Sequence, residues 1–348
     1  MYLCTMKYEV TIGIPVFNVC KFIRRCMDSA LAQTFESIEF LVLDDCGTDH
    51  SMDIVREYQE IHPRGKDIRI VRQPENMGLG CARNRIIAEA QGKYLYHLDA
   101  DDAIAPHAIQ LLYEHAKKYD AQIVYGSHMR IEQLNGETKE IPVVYPSLQF
   151  SKEDEWPTYV YREYNGIQAM TWNFLIDIDI YRTNNLRHKP INFWEDFTFT
   201  MDLPTYITRA VLLPDVTYYY YCRPGSLSNY DNRKHIDKQE IVITANAVEE
   251  LKAQTDRLRN KSYFPRRMYK LMVTCFYIVC IVFRYRKIIS PSFTNKELHD
   301  MMRSPLTLRE ILHFRQARIL NLILYLFWML PPSISVCAMR LTAFIRRL

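Results

Sequence analysis

Three carboxylates follow directly on a predicted strand. An apolar run at residues 94–98 is followed by Asp99, Asp101 and Asp102. Carboxylates this close repel one another unless a cation neutralises them, and hard divalent cations bind carboxylate oxygens and substrate phosphates together. The pattern therefore predicts a site where Mg²⁺ or Mn²⁺ holds a phosphate. A solvated acidic loop has the same pattern, so a second signal is needed.

The second signal is Asp44 and Asp45, which end another predicted strand at 38–43. One member of such a pair can accept hydrogen bonds from a nucleobase N–H or a ribose hydroxyl. The surrounding chain, from about residue 9 to 125, alternates apolar runs with amphipathic stretches. The runs predict strands at 10–14, 38–43, 68–72 and 94–98, and helices at 19–32, 49–61 and 80–90, with Thr48 or Asp49 as the N-cap of the second helix.

Four such alternations favour an α/β fold with a mostly parallel, Rossmann-like sheet flanked by helices. Ligands of these sheets bind beyond the carboxyl ends of the strands. Those ends carry residues 15–18, 44–45, 76–78 and 99–102, which are largely polar. Four polar strand ends predict one binding site.

The middle of the chain is less regular. The pattern predicts a helix at 106–119, a strand at 122–125, further elements at 171–181, 194–202 and 211–221, and an amphipathic helix at 236–258. We expect residues 1–125 and 126–256 to form the two halves of one domain, and residues 257–348 to form a separate helical region.

That last region is strongly basic. Residues 257–348 hold 17 Lys and Arg against three Asp and Glu, a net charge of +14, in a chain whose total is +4. Two apolar runs, 271–283 and 319–330, lie among the basic residues and are shorter than the roughly 20 residues of a transmembrane helix. They predict helices lying in the interface of an anionic membrane; a buried bundle with solvated arginines is the alternative.

Composition excludes several protein classes. A chain of 348 residues with 48% hydrophobic and 24% charged residues is neither mainly disordered, collagen-like nor coiled-coil. Nine scattered cysteines without metal-ligand spacing favour a reducing compartment, and no secretory leader is evident at the N-terminus. We therefore expect a cytoplasmic protein, peripheral at the inner face of the cell membrane.

Five ordered motifs resemble those of the family 2 glycosyltransferases. They are residues 11–18 (TIGIPVFN), 43–49 (LDDCGTD), 76–78 (NMG), 82–84 (ARN) and 98–102 (LDADD). The resemblance covers about residues 8–125 and implies a GT-A fold and an inverting, nucleotide-sugar-dependent enzyme. One departure is visible: the family usually has D-D-G-S-x-D, whereas here Cys46 precedes Gly47.

The resemblance also implies roles for individual residues. Asp101, with Asp99, would ligate Mg²⁺ or Mn²⁺ bridging a diphosphate, and Asp99 would approach the ribose or sugar. The donor-binding residues would be Pro15, Phe17, Asn18, Asp44, Asp45, Arg83 and Asp99, with Pro15, Phe17 and Asp45 at the nucleobase and Arg83 near the nucleotide.

A catalytic base is expected from the motif at residues 193–196, which resembles the E-D segment of the family. The resemblance assigns the base to Asp196, with Glu195 as its close competitor. An acidic pair at a helix start can instead only complement the helix dipole. Trp194 would stack on an acceptor sugar, although an ordinary core tryptophan fits the sequence nearly as well.

Residues 218–226 resemble a further family segment, Y-x-R-x-x-S. By that resemblance Arg223 would contact diphosphate oxygens, and charge-assisted contacts of this kind are strong. A tyrosine-rich edge strand with a solvated arginine is the alternative interpretation.

Together these observations predict a glycosyltransferase. It would move a sugar from a nucleotide donor, expected to be UDP-linked, to a hydroxyl of a glycan or lipid-linked glycan, as in polysaccharide biosynthesis. No nucleic-acid partner is expected. The alternatives are a non-catalytic nucleotide- or glycan-binding protein on the same fold, and a membrane adaptor acting through its basic C-terminal region.

Overall fold

The computed structural model describes residues 7–134, 137–163, 170–191, 194–222 and 233–346. The chain divides into two compact units. The first comprises residues 1–156 and 166–226, and the second comprises residues 157–165 and 227–348. The first unit ends near residue 226, whereas that boundary was expected at 256 from the sequence. One strand, Ile123–Leu134, runs across residue 125, where the two halves of one domain were expected to meet.

The first unit is built of strands and helices that follow one another in the order the sequence predicts up to residue 125. In chain order the elements are β1 (Tyr8–Val16), α1 (Ile23–Leu31), β2 (Ile38–Asp44), α2 (Ser51–Ile61), β3 (Ile68–Arg72), α3 (Leu79–Glu89), β4 (Gly92–His97), β5 (Ala103–Ile104), α4 (Ala108–Lys118), β6 (Ile123–Leu134), β7 (Glu137–Val143), β8 (Leu148–Phe150), α5 (Glu155–Glu163, which continues into the second unit), β9 (Phe174–Asp177), α6 (Ile178–Thr183), α7 (Glu195–Thr200) and β10 (Ala210–Cys222).

The parallel sheet is confirmed for the first four main strands. They lie in the order β3-β2-β1-β4, and each neighbouring pair is parallel. β2 is buried along its whole length, as its run of Ile, Phe, Leu and Val requires of a strand covered on both faces. This arrangement brings the carboxyl ends of the strands to one edge.

The rest of the sheet is mixed. β9 pairs antiparallel with both β4 and β6, whereas β10 runs parallel to β6. β5 and β8 pair antiparallel with β10, and β7 pairs antiparallel with β6. The described residues thus form a ten-stranded sheet in which antiparallel pairs extend the parallel half.

Helix starts differ from the predictions by a few residues. α2 begins at Ser51 after His50, so neither Thr48 nor Asp49 is the N-cap. Asp49 nevertheless accepts a hydrogen bond from the Ser51 amide at 3.0 Å. Only the Glu195–Thr200 part of the element predicted at 194–202 is α-helical, and a short 3₁₀ turn follows at Leu203–Tyr206.

The second unit is mainly helical. Its elements are β11 (Ile236–Asp237), α8 (Lys238–Ala253), α9 (Phe264–Tyr285), β12 (Ile289–Ser290), α10 (Asn295–Asp300), α11 (Leu308–His313), α12 (Arg318–Met329) and α13 (Pro332–Arg346). The predicted helix at 236–258 is therefore shorter, because Asp237 caps it by accepting the Gln239 amide and a 3₁₀ turn replaces its last residues.

Helix α9 is longer than the apolar run that indicated it. It has 22 residues, because basic and aromatic residues on both sides of 271–283 also adopt the helix. Among the described residues it is the one helix long and apolar enough to cross a membrane. More than half of its most apolar window is buried inside the protein, as it would be for the core helix of a soluble bundle.

Candidate active site

The predicted site residues gather at the carboxyl edge of the parallel strands. Val16 at the end of β1 lies opposite Asp44 at the end of β2, and Asp44 lies opposite Arg72 at the end of β3. On the other side of β1, Gly13 lies opposite His97, two residues before Asp99. The register therefore brings the motifs together as expected.

Asp45 connects two of the motifs. Its buried carboxylate accepts hydrogen bonds from the amides of Met77 at 3.0 Å and Gly78 at 3.2 Å. Burial raises the pKa of Asp45, and the two amide hydrogen bonds oppose that rise. Gly78 has a φ of 81°, a conformation that favours glycine, and precedes α3 directly. Asp45 thus fixes the start of α3.

The turn after Asp44 shows how the chain accommodates its departure from the family motif. Cys46 adopts a φ of 59°, in the left-handed region where the family has glycine. Its amide donates to the Asp44 carboxylate at 3.0 Å. Asn18, which is also left-handed, accepts from the Thr48 amide at 2.8 Å. The carboxylates of Asp44 and Asp45 therefore keep their places at the strand end.

The expected nucleobase residues differ in accessibility. Pro15 is buried within β1, and Asp44 and Asp45 are almost fully buried. Phe17, by contrast, is 44% exposed just beyond β1. Phe17 is therefore the residue of this group with an accessible face on which a flat ring could stack.

Arg83 is the centre of an ion-pair cluster. Its guanidinium is 1% exposed and lies 2.9 Å from Asp99 Oδ1 and 3.6 Å from Glu195 Oε1. It also donates a hydrogen bond to Asp196 Oδ1. Thr171 Oγ1 donates to the same Asp196 oxygen at 2.7 Å. Arg83, which was expected near the nucleotide, thus contacts both Asp99, an expected donor-binding residue, and Asp196, the expected base.

Two carboxylates of this cluster, Glu195 and Asp196, have raised pKa values. Burial first, and the charge of Asp196 second, raise the pKa of Glu195 to about 7. Burial also raises the pKa of Asp196, against the opposing charge of Arg83. Burial alone would lower the pKa of Arg83, but the neighbouring carboxylates outweigh it and raise that pKa. The cluster therefore holds a carboxyl group that exchanges its proton near neutral pH.

Asn84 anchors the chain that leads to the acidic pair. Its side-chain amide donates to the His188 carbonyl at 2.9 Å and accepts from the His188 amide at 2.8 Å. A Cβ atom on Gly80 would lie 2.5 Å from the Lys189 carbonyl oxygen, so α3 and residues 188–189 are in close contact. Two consecutive residues of the A-R-N motif, Arg83 and Asn84, therefore bind the segment around Glu195 to α3.

The acidic triplet does not act as a single set of ligands. Asp102 is 1% exposed and accepts hydrogen bonds from Tyr218 Oη at 2.7 Å and from the Tyr221 amide at 2.8 Å. Burial raises the pKa of Asp102 well above its ordinary value. Asp102 thus connects this loop to β10, and it is not one of the two predicted metal ligands, Asp101 and Asp99.

Asp99 and Asp101 are the predicted metal ligands, and this role stays a prediction. Asp101 is half-buried, and its carbonyl oxygen accepts from Arg25, whose guanidinium lies 3.4 Å from the centre of the Tyr221 ring. The described residues contain no group of three or more His, Cys, Asp or Glu able to hold a metal ion. Mg²⁺ commonly takes one or two carboxylates and completes its shell with waters and substrate phosphates, so a site with two aspartates is consistent with its chemistry.

Two further residues of the predicted site are Trp194 and Arg223. Trp194 has a left-handed φ of 60°, immediately precedes α7 and has its ring 6.0 Å from that of Phe197. It lies beside the acidic pair, and its contact with an acceptor stays a prediction. Arg223 lies outside the described residues.

Three residues that contact the predicted site residues were not identified from the sequence. Thr171 and Arg25 carry no motif signal, and they were identified only through their contacts with Asp196 and Asp101. Tyr218 stood out as part of a tyrosine run, but nothing in that run indicates a hydrogen bond to Asp102. Such long-range partners have no fixed spacing in the chain.

The comparison with protein families decides the class. The family model described as Glycosyl transferase family 2 matches residues 11–178, which include all five motifs and Thr171. Residues 11–178 belong to the family 2 glycosyltransferases. The roles of individual residues do not follow from this match.

Similar proteins agree with this assignment. Cholesterol galactosyltransferase of Borreliella burgdorferi is 25% identical over 299 residues, covering 83% of this chain and 79% of the relative. The uncharacterized glycosyltransferase EpsJ of Bacillus subtilis is 28% identical over 235 residues, covering 66% and 67%. These names favour an enzyme over the binding-protein and adaptor alternatives.

A solved structure supports the fold. Residues 1–349 of S. aureus TarS, crystallised with UDP-GlcNAc, superpose with a TM-score of 0.63 and 16% identity, covering 90% of this glycosyltransferase and 88% of TarS. The GT-A fold with C-terminal helices is thereby confirmed.

Proposed function

We propose that this glycosyltransferase moves a sugar from a UDP-linked donor to a hydroxyl of a glycan or lipid-linked glycan, with inversion at the anomeric carbon. The UDP-GlcNAc bound by TarS supports a UDP donor. The name of the Borreliella relative, a cholesterol galactosyltransferase, supports a hydroxyl acceptor and leaves a lipid-linked one open.

The observation that carries the proposal is the carboxylate cluster around Arg83. Inverting transfer needs a base that removes the acceptor proton in the transition state, and such a base works best with a pKa near the working pH. Asp196 is our proposed base. Thr171 and Arg83 both bind its Oδ1, which leaves Oδ2 as the atom to receive the proton. Glu195, whose pKa is about 7, is the competitor.

The donor side of the proposal uses Asp99 and Asp101. Mg²⁺ or Mn²⁺ held there would stabilise the negative charge that develops on the departing nucleoside diphosphate. Arg25 binds the Asp101 carbonyl and so fixes the loop in which Asp101 lies. Asp102, through Tyr218 and the Tyr221 amide, fixes the same loop from β10.

A donor screen tests the function, and two variants test the base. Full-length protein is incubated with several nucleotide sugars and Mn²⁺, and release of the nucleoside diphosphate is measured with and without glycan acceptors. We expect one UDP-sugar to be consumed. Asp196→Asn should retain donor binding and lose about 10²-fold or more in turnover.

Glu195→Gln is the matched control, since it also replaces one carboxylate of the cluster by an amide. If Glu195→Gln loses turnover while Asp196→Asn remains active, Glu195 is the base. If no nucleotide sugar is consumed under any condition, the proposed donor class is wrong.

A further inference from the structure

The last two helices expose apolar side chains in stripes. On α12 the exposed residues are Ile319, Ile323, Leu326 and Met329, and on α13 they are Ile334, Leu341, Phe344 and Ile345. Their exposed fractions range from 48% to 81%. Spacings of three and four residues on α12, and of seven residues and then three or four on α13, place each set on one face of its helix.

These faces are not loosely packed parts of the core. Each helix buries a different face, which on α12 contains Leu324 and Phe327 and on α13 contains Val336, Met339 and Ala343. The two helices also contact each other and α9. The exposed stripes are therefore apolar surface beyond the faces that pack in the core. They are contiguous, unlike the single exposed apolar residues that are normal on soluble proteins.

The charge around the stripes has a single sign. Residues 311–348 contain no Asp or Glu. The described arginines of these residues, Arg315, Arg318, Arg340 and Arg346, are exposed. On α13, Arg340 and Arg346 lie on opposite sides of the stripe. This follows from helical periodicity, which places positions 340 and 346 to either side of positions 341 and 345.

The acidic side chains elsewhere in the basic region are already paired. Glu297 lies 2.5 Å from Lys238 Nζ, Glu310 pairs with Arg259, and Asp300 lies 3.8 Å from His299. These contacts all lie within the second unit. Among the described residues, Arg318, Arg340 and Arg346 form no ion pair that would cancel their charge.

We propose that the exposed faces of α12 and α13 dock this glycosyltransferase onto an anionic phospholipid surface. Helices of 12 and 15 residues are too short to span a bilayer but can lie in its interface, with apolar side chains among the acyl chains and arginines at the phosphates. The occupant is a lipid surface rather than a second copy, because a second copy would bring two acid-free, arginine-rich faces together.

Helix α9 has a different role. It meets the length and composition of a membrane span, yet it contacts α8, α12 and α13 and buries residues along its whole length, including Arg267, which donates to Thr255 Oγ1 at 3.1 Å. It therefore forms the support on which the two docking helices lie.

Vesicle binding by the full-length protein tests the proposal. Sedimentation is measured with phosphatidylglycerol-containing vesicles and with pure phosphatidylcholine vesicles, at low and high salt. We expect binding to the anionic vesicles, release by salt and much weaker binding to the neutral ones, since charge attraction and apolar insertion act together.

Two matched variants locate the surface. Ile345→Glu places a carboxylate in the α13 stripe, where the isoleucine is 70% exposed. Ile61→Glu makes the same change at the end of α2 in the first unit, where the isoleucine is 72% exposed. We expect Ile345→Glu to weaken anionic-vesicle binding about tenfold or more and Ile61→Glu to leave it unchanged.

Three results would overturn the proposal. Full-length protein that ignores anionic vesicles at low salt has no such surface. Equal loss in both variants means that a general charge effect, and not this face, governs binding. A dimer detected by analytical ultracentrifugation and dissociated by Ile345→Glu would show that a second copy covers the stripe.

Discussion

Replacing Glu195 by glutamine should stabilise the protein, and the amount follows from its surroundings. Glu195 is 13% exposed, and burial with the neighbouring charge of Asp196 raises its pKa from an ordinary 4.5 to about 7. One pKa unit corresponds to about 1.36 kcal/mol, so the folded state disfavours the ionised carboxylate by about 3 kcal/mol. The nearby Arg83 does not remove this cost, because it is shared among three carboxylates.

The sign of the effect depends on pH. Below pH 4.5 the carboxyl is protonated in both the folded and the unfolded state, so Glu195 contributes no penalty. Between pH 4.5 and about 7 the unfolded state loses its proton while the folded state keeps it, and the free energy of unfolding falls as pH rises. Above pH 7 the penalty is complete. Glu195→Gln, which does not titrate, should therefore gain about 3 kcal/mol at pH 8 and almost nothing at pH 4.

Differential scanning calorimetry of the full chain measures this gain. The transition of the first unit is followed at pH 4, 6 and 8, because a chain of two units need not unfold in one step. Glu60→Gln on α2, where the glutamate is exposed, is the control and should change little at any pH. Equal stability of wild type and Glu195→Gln at pH 8, or the same gain at pH 4 and pH 8, would refute the reasoning.

Three further predictions concern the donor loop, the proposed base and the turn at residue 46. Asp101→Ala should abolish the dependence of UDP binding on Mn²⁺ in calorimetric titration; unchanged metal-dependent affinity would exclude Asp101 as a ligand. Thr171→Val removes the 2.7 Å hydrogen bond to Asp196 and should shift the acidic limb of the pH–rate profile upward, whereas a lower rate at an unchanged pH profile would indicate a structural role. Cys46→Gly removes the strain of a left-handed φ of 59° and should raise the free energy of unfolding by up to about 1 kcal/mol. A lower free energy of unfolding would show that the contacts of the cysteine side chain outweigh that strain.

The parts of the site that were predictable are those encoded locally. The strand runs before Asp44 and before Asp99 are continuous and apolar, and parallel strands of that kind bring their carboxyl ends to one edge. The location of Asp45 and of the acidic triplet followed from this rule. The family resemblance added roles for Asp101 and Asp196, which remain to be tested.

The parts that were not predictable depend on distant partners. Nothing in the sequence indicates that Arg83 contacts Asp196, which is 113 residues away, or that Asp102 turns from the site to bind Tyr218, 116 residues away. The antiparallel position of β9 between β4 and β6 likewise depends on contacts between segments that are far apart in the sequence. Local pattern shows where a carboxylate lies along the chain, but the pairing of that carboxylate depends on which segments the fold brings against it.

The charge balance of the cluster explains how binding and proton transfer can depend on each other. One buried guanidinium, that of Arg83, faces three carboxylates, so the cluster has an excess of negative charge, which a proton on one carboxyl reduces. A donor diphosphate bound beside Asp99, as proposed, would add further negative charge, which would make a cation at Asp99 and Asp101 more favourable and a proton on Glu195 or Asp196 easier to keep. A neutral-pH proton on this pair is thus a consequence of burying three acids around one arginine. Proton transfer from the acceptor to Asp196, as proposed, would require the retained proton to lie on Glu195 and Asp196 to be ionised.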